Sequence, residues 1–377
     1  MTPRQRLLAV LRRELPDRVP CAPDISNMIP CHLTGKPFWD IYLYQNPPLW
    51  KAYIDAVKQL GIDGFLEGLA VIAPPPPEPE EPPWHEVIIA RTSDRIITRH
   101  CQEDKWGVRR WSANVRIYDR DQPATTKPYQ HLGLPAVPSE WEYVSGARAW
   151  PTGEALLKLV KEEMGEHGIV GARCGRTLVV GSPEEIYEYY EDPAKFRKKR
   201  DVILAEAERL FAQIMAQGTR PDFINMGASG TLVWQTPAMF DELGLPILKR
   251  MSALCKEAGI PSHVHACGPE RHLVQRAAEE TDLTCIDPLE RPPMGDCDLK
   301  EIKRLYGHKL VLKGNLHTTE VMLRGSAKTV RAAARQAIRA AARGGGYILS
   351  TGDQCGRDTP LENIQALIDA CERWGRY

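Results

Sequence analysis

The sequence carries no surplus of charge: 49 lysines and arginines face 49 aspartates and glutamates, for a formal net charge of +0. A basic excess is the footprint of proteins that bind phosphate backbones, so nucleic acid is not the expected partner. No apolar run approaches the roughly 18 residues needed to span a bilayer, so no membrane segment is expected. The start, Met1-Thr-Pro-Arg-Gln-Arg-Leu-Leu8, alternates arginine with apolar residues and has no apolar core followed by a small-residue cleavage site. No signal peptide is read there, and the cytoplasm is the expected compartment. No Gly-x-Gly-x-x-Gly follows an early strand-like segment, which removes the usual support for a dinucleotide fold. The run Gly344-Gly-Gly346 lacks the following Lys-Ser/Thr of a phosphate loop and reads as a helix end. Ten cysteines in 377 residues do not make a disulfide framework, which leaves free thiols and a few candidate metal ligands.

What is present is an alternation. Apolar residues at helical spacing mark helices over 3–15, 48–60, 152–163, 237–258, 270–280, 299–306, 327–343 and 360–374. Ser182-Pro-Glu-Glu185 is a helix start, with serine as cap and proline at the first helical position. Its helical pattern is interrupted near Pro193 and runs to Gln217. Between the helices lie short apolar strands at 19–24, 61–67, 168–173, 222–226, 262–266, 283–287, 309–313 and 347–350. Eight strands separated by helices predict an α/β fold, a (β/α)8 TIM barrel, with a doubly wound open sheet as the competing arrangement. One stretch breaks the alternation. Pro74 to Pro83 is rich in proline and glutamate and suits neither helix nor central strand. Trp84 to about Tyr143 is rich in β-branched and aromatic residues and predicts an inserted antiparallel β layer. The expectation is therefore a single barrel domain over 1–377, with a Pro-rich segment and hairpin insertion at 74–143.

In such barrels, chemistry collects at the carboxyl ends of the strands. His265 and Cys267 are the sharpest feature there: residues two apart on an extended segment point the same way. Cys355 follows the last strand, and strand ends distant in sequence converge at a barrel mouth. One imidazole and two thiolates make an open zinc site, with a fourth position left for substrate. From spacing alone, a buried strand cysteine beside a hydrogen-bonded histidine reads equally well. His263 is a reserve ligand. Glu290 is an exchangeable fourth ligand or a surface carboxylate, and Asp353 and Asn315 bind substrate or cap loops. Asn27 and Asn225 end the first and fourth strands and are further substrate-binding candidates.

His265-Ala-Cys-Gly268, Ile286-Asp-Pro-Leu-Glu290, Lys313-Gly-Asn-Leu316, Gly344-Gly-Gly-Tyr-Ile-Leu-Ser-Thr-Gly352 and Thr359-Pro-Leu-Glu-Asn363 resemble the uroporphyrinogen decarboxylase superfamily. So do Arg6-Leu-Leu-Ala-Val-Leu-Arg-Arg13 and Asp17-Arg-Val-Pro20. The resemblance implies a (β/α)8 barrel. True decarboxylases carry an Arg-Gln-Ala-Gly-Arg type of motif after the first strand. Here Asp24-Ile-Ser-Asn-Met-Ile-Pro-Cys-His-Leu33 has no arginine, which speaks against that reaction. The His-x-Cys with a late cysteine instead resembles the cobamide-dependent methyltransferases, which implies zinc on His265, Cys267 and Cys355. It also implies a corrinoid (cobalamin) partner protein facing the barrel mouth. The Pro-rich stretch and insertion look like the O-demethylase components of that branch. These take a methyl group from a methoxylated aromatic, the small-molecule methyl donor, to cobalt. Either zinc acts as the Lewis acid on the ether oxygen, or Asp353 or Glu290 supplies its proton if burial raises that carboxyl. Trp106 and Trp111 of the insertion either cover an aromatic ring or are packing residues. The chain has no corrinoid-binding Asp-x-His-x-x-Gly motif, so the corrinoid is expected on a separate protein. The alternatives are methylation of a coenzyme M-like thiol, and a noncatalytic tetrapyrrole- or corrinoid-binding barrel.

Overall fold

The computed structural model describes residues 1–72 and 82–377. Most of the Pro-rich stretch expected at 74–83 lies outside the described residues. The described chain forms two compact units: Met1–Ser26, Val57–Ile72 and Thr152–Tyr377 in the first, and residues of Asn27–Ala56 and 82–151 in the second.

Among the described residues, twelve strands occur in chain order: β1 (Gly64–Leu69), β2 (His85–Arg91), β3 (Arg95–Glu103), β4 (Arg109–Asp119), β5 (Thr125–Pro128), β6 (Glu142–Tyr143), β7 (Gly168–Arg176), β8 (Phe223–Gly227), β9 (Ser262–His265), β10 (Cys285–Asp287), β11 (Val311–Leu316) and β12 (Tyr347–Thr351). The first unit is built on a seven-stranded parallel sheet in the order β1-β7-β8-β9-β10-β11-β12. Sequential order in an all-parallel sheet with helical crossovers is the barrel arrangement, and it excludes the doubly wound alternative, in which strand order reverses. The segment expected as the first strand, 19–24, makes only an isolated parallel bridge, Cys21 to Leu349. It nevertheless joins the two ends of the sheet. Leu349 N–H donates to Pro20 O at 2.9 Å, Ala22 N–H to Leu349 O at 2.9 Å, and Asp63 N–H to Cys21 O at 2.8 Å. Pro20 and Pro23 have no N–H to offer a ladder, which accounts for the missing regular strand. The fold is thus a TIM-barrel-like (β/α)8 arrangement with an added β layer.

The helix Pro3–Leu11 buries Leu7, Val10 and Leu11 against Phe65, Ile169, Phe223, Cys285, Val311 and Ile348, all within the first two positions of their strands. It therefore closes the amino end of the barrel. Arg6 fixes it there, donating to buried Asp63 at 2.5 Å and to Asp17 at 2.7 Å. Asp63 also takes Arg18 at 3.1 Å and Cys21 N–H at 2.7 Å. The Asp17-Arg-Val-Pro20 motif is in this way a structural clamp, and the carboxyl end of the barrel is left for chemistry.

The second unit holds a five-stranded antiparallel sheet, order β5-β4-β3-β2-β6, as the β-rich composition of 84–143 predicts. Its core packs Leu43 with Ile88, Ile96 and Tyr118. Residues 27–56 thus join the β layer, a partnership that helical periodicity alone does not reveal. Trp111 packs edge-on against Trp141 inside this unit, and Trp106 is 76% exposed.

Candidate functional site

Register places the site. Asn225 pairs with His263, Gly227 with His265 and His265 with Asp287 across β8, β9 and β10. Alternate residues of these short strands face the barrel interior in layers. The lowest layer is apolar: the rings of Phe65 and Phe223 lie 4.5 Å apart, and both meet the ring of His263 at 5.1 and 5.7 Å. Above this floor sits a buried charged network. Lys313, fully buried on β11, is ion-paired to Asp287 and lies 3.1 Å from Glu67 Oε1. Burial alone would lower the proton affinity of Lys313; Asp287 and Glu67 outweigh it and hold the ammonium well above its ordinary value. Burial likewise pushes Asp287 up, but Lys313, His265 and His263 keep it well below the usual carboxylate range.

Asp287 Oδ1 serves two imidazoles. It lies 3.1 Å from His265 Nδ1 and 3.0 Å from His263 Nε2, the second without the alignment of a hydrogen bond. His263 Nδ1 is 3.0 Å from Asn225 Nδ2. With Nδ1 committed, His265 turns Nε2 toward the mouth, 3.6 Å from Asp353 Oδ1. Burial lowers and Asp287 raises the proton affinity of His265; the net result is well above an ordinary histidine.

One ligand atom each from His265, Cys267 and Asp353 lies within 4.8 Å of the other two. Imidazole nitrogen, thiolate sulfur and carboxylate oxygen are all zinc donors. A carboxylate holding the second imidazole nitrogen is the usual support of a metal-binding histidine, and Asp287 supplies it. The residues present therefore fit a zinc ion. The group differs in one member from the sequence-derived set. Cys355 is fully buried, its N–H donates to Asp24 O at 2.8 Å, and burial and Asp24 push its thiol up to about 12. Asp353, two residues earlier on the same turn, occupies the third place. The turn is set by Thr351, whose hydroxyl donates to Asp353 O at 2.7 Å and accepts from Asp24 N–H at 3.0 Å. Asp353 adopts φ 104°, an uncommon conformation for a residue with a side chain. The reserve ligand His263 is buried below and belongs to no such group.

His265, Cys267, Asp353, Asn225, Glu67 and Asp24 line a cavity of about 1130 Å³. Glu290 and Asn315 do not; they line a neighbouring cleft with Arg291 and His317. Gly268 N–H donates to Glu290 at 2.5 Å, and Asn315 donates to Leu289 O at 2.8 Å. Asn27 belongs to the second unit, just before the helix Met28–Leu33. The carboxyls also separate by proton affinity. Burial raises Asp353, but the neighbouring His265 outweighs it, so Asp353 is held below its ordinary value. Burial raises Glu290, and burial with Glu67 raises Asp24. Asp24 is thus a cavity carboxyl whose proton affinity is raised. Sequence reasoning used it only as a strand end and left Lys313 unassigned. The signal for Lys313 was there: a lysine inside the apolar run 310–313 is a buried charge in search of a partner.

Residues 190–374 match the family model described as uroporphyrinogen decarboxylase (URO-D), which bears out the resemblance read from the motifs. A curated uroporphyrinogen decarboxylase of Anaeromyxobacter dehalogenans is 30% identical over 135 residues, 36% of this chain and 36% of that protein. A second, from an Anaeromyxobacter species, is 28% identical over 133 residues, 35% of this chain and 36% of that protein. The match spans about a third of the length of these curated relatives. Among solved structures, one titled as a methyltransferase from Methanosarcina mazei matches with a TM-score of 0.64, covering 99% of this chain and 98% of that one at 16% identity. At that identity the likeness is one of fold.

Proposed function

We propose that this barrel, uroporphyrinogen decarboxylase-like over residues 190–374, is a zinc-dependent methyltransferase. Its methyl donor is a methoxylated aromatic, and its acceptor is the cobalt of a corrinoid on a separate protein. The observation that carries the reading is the convergence of His265, Cys267 and Asp353 on the wall of a cavity of about 1130 Å³ at the carboxyl ends of the strands. A fold shared with a methanogen protein titled as a methyltransferase supports it, as does the absence of arginine from 24–33.

His265, Cys267 and Asp353 would hold the metal, with Asp353 in the place that the sequence assigned to Cys355. Zinc at that point supplies a Lewis acid that draws electron density from an ether oxygen. The chain does the rest. Asp287 fixes the tautomer and direction of His265, and Lys313 keeps Asp287 ionised. Asp24, whose proton affinity burial and Glu67 raise, faces the cavity and is the group to deliver a proton to the departing aryl oxygen, in place of Asp353 or Glu290. The aliphatic side chains of Leu178, Ile203 and Leu210 on the cavity wall offer a surface for an aromatic ring. A cavity of this volume suits an aryl ether better than a small thiol.

The test is a screen of methoxylated aromatics with reduced corrinoid protein, followed spectroscopically for methyl-cobalt. Methyl-cobalt formation from an ether supports the reading. Rapid methylation of a coenzyme M-like thiol with no ether reacting makes the protein a thiol methyltransferase. No transfer in either direction leaves a noncatalytic corrinoid- or tetrapyrrole-binding barrel.

A further inference from the structure

Of the four carboxylates that line the cavity, Asp24, Glu67 and Asp353 lie on the side of the metal-capable group, where Glu67 is paired with Lys313 and Asp353 faces His265; the fourth, Glu206, is on the helix Pro193–Met215, one turn before Arg209. Along another part of the wall lie Arg173 and Arg176 of β7 and Arg209 of the helix Pro193–Met215. Arg173 and Arg176 make no ion pair among the described residues. Glu185, whose carboxyl Arg176 helps to hold down, is itself paired with Lys199 and accepts Gly181 N–H at 2.8 Å. Two guanidinium groups thus line a cavity with their donors unspent by the fold. A guanidinium offers planar, paired N–H groups that match a carboxylate.

Register gives the distance from this charge to the chemistry. Arg176 pairs with Gly227, and Gly227 pairs with His265. The two Cα positions are therefore level and two strand spacings apart, about 10 Å. Arg173 pairs with Asn225, which pairs with His263, one layer deeper. Gly68, at φ 70°, leaves room for Arg173; a Cβ there would stand 3.0 Å from its guanidinium. Apolar Leu178, Ile203 and Leu210 lie on the same wall. A single aromatic ring, allowing for side chains at both ends, bridges that interval.

We propose that Arg173 and Arg176 bind the carboxylate of an anionic methyl donor, so that the substrate class is methoxylated aromatic acids rather than neutral aryl ethers. The assignment rests on the methyltransferase reading of the same cavity. It specifies which end of the donor faces the metal-capable group: the methoxy end toward His265 and Cys267, the carboxylate toward β7.

The experiment is calorimetric binding to the full chain of 3-methoxybenzoate and of its neutral analogue 3-methoxybenzamide, with cobalamin as a third probe. The benzoate should bind about tenfold or more tightly than the amide, as a charge-assisted contact predicts. Arg176→Gln and Arg173→Gln should each remove about tenfold of benzoate affinity and leave the amide unchanged. Both residues are exposed, so the variants should keep the melting temperature of the parent; rising salt should weaken benzoate binding to the unaltered protein as an independent readout. Equal binding of acid and amide, or benzoate affinity indifferent to both substitutions, overturns the proposal. So does loss of cobalamin affinity with benzoate affinity intact, which would give the arginines to the corrinoid phosphate. Because binding is read without turnover, the two readings fail separately. A protein that prefers the acid but forms no methyl-cobalt counts against methyl transfer alone, and one that demethylates neutral ethers equally well counts against the arginines alone.

Discussion

Asp287 holds His265 by Nδ1 at 3.1 Å while its other oxygen is ion-paired to the buried ammonium of Lys313. The metal-capable histidine is therefore anchored to a charge network that reaches across β9, β10 and β11. Asp287→Asn keeps the shape but surrenders the charge and the defined tautomer. Supporting groups of this kind are worth about 10- to 100-fold in metal affinity. Zinc competition against a chelator should show a loss of that size, with the melting temperature read alongside it. Unchanged zinc affinity would mean that His265 does not depend on Asp287.

Lys313→Met should be the costlier change for the fold. Removing one member of a buried pair strands the other charge and costs about 3–5 kcal/mol. Denaturant unfolding should show a loss of this order, and Lys313→Met combined with Asp287→Asn should recover part of it. Strict additivity of the two losses would contradict the pairing.

Glu270 provides the pH prediction. It is fully buried, accepts Leu289 N–H through Oε2 at 2.8 Å, and leaves Oε1 without a hydrogen-bond partner among the described residues. Burial raises it well above the ordinary value of a glutamate, and only in part does the Leu289 N–H counter this. A carboxyl whose folded value is raised binds its proton more tightly when folded, so its unfavourable contribution grows as pH rises above the unfolded value of about 4.3. Glu270→Gln removes that dependence. Its melting temperature should exceed that of the parent at pH 8 by more than at pH 5; an equal difference at both would contradict the sign.

Asp24→Asn tests the proton donor. A general acid contributes about 10²–10⁴-fold and must be protonated to act. Turnover of an aryl ether should fall within that range, and the parent's decline in rate with rising pH should disappear in the variant. Retention of both would return the role to Glu290.

The barrel was legible because its helices and strands repeat local rules. Ser182 does cap its helix, accepting Glu185 N–H at 3.2 Å, and Leu299–Tyr306 begins and ends where its periodicity says. The site was legible in part. His265 and Cys267 share a face because extended residues two apart must. Cys355 and Asp353 could not be separated by sequence, since which of them meets His265 depends on the turn made by Thr351 and on φ 104° at Asp353. Proton affinities were beyond reach for the same reason: Asp24 and Asp353 are identical side chains, raised in one case by burial and lowered in the other by an imidazole. The attachment of residues 27–56 to the β layer rests on contacts such as Leu43 with Ile88 and Tyr118, which no periodicity encodes.

The most direct test is the zinc content of the full chain after exhaustive dialysis, in the parent and in Cys267→Ala, Cys355→Ala and Asp353→Asn, each checked for an unchanged fold by circular dichroism. One equivalent in the parent, loss in Cys267→Ala, a clear reduction in Asp353→Asn and retention in Cys355→Ala is the predicted pattern. Stoichiometric zinc kept by a variant lacking both the Cys267 thiol and the Asp353 carboxylate would contradict the account.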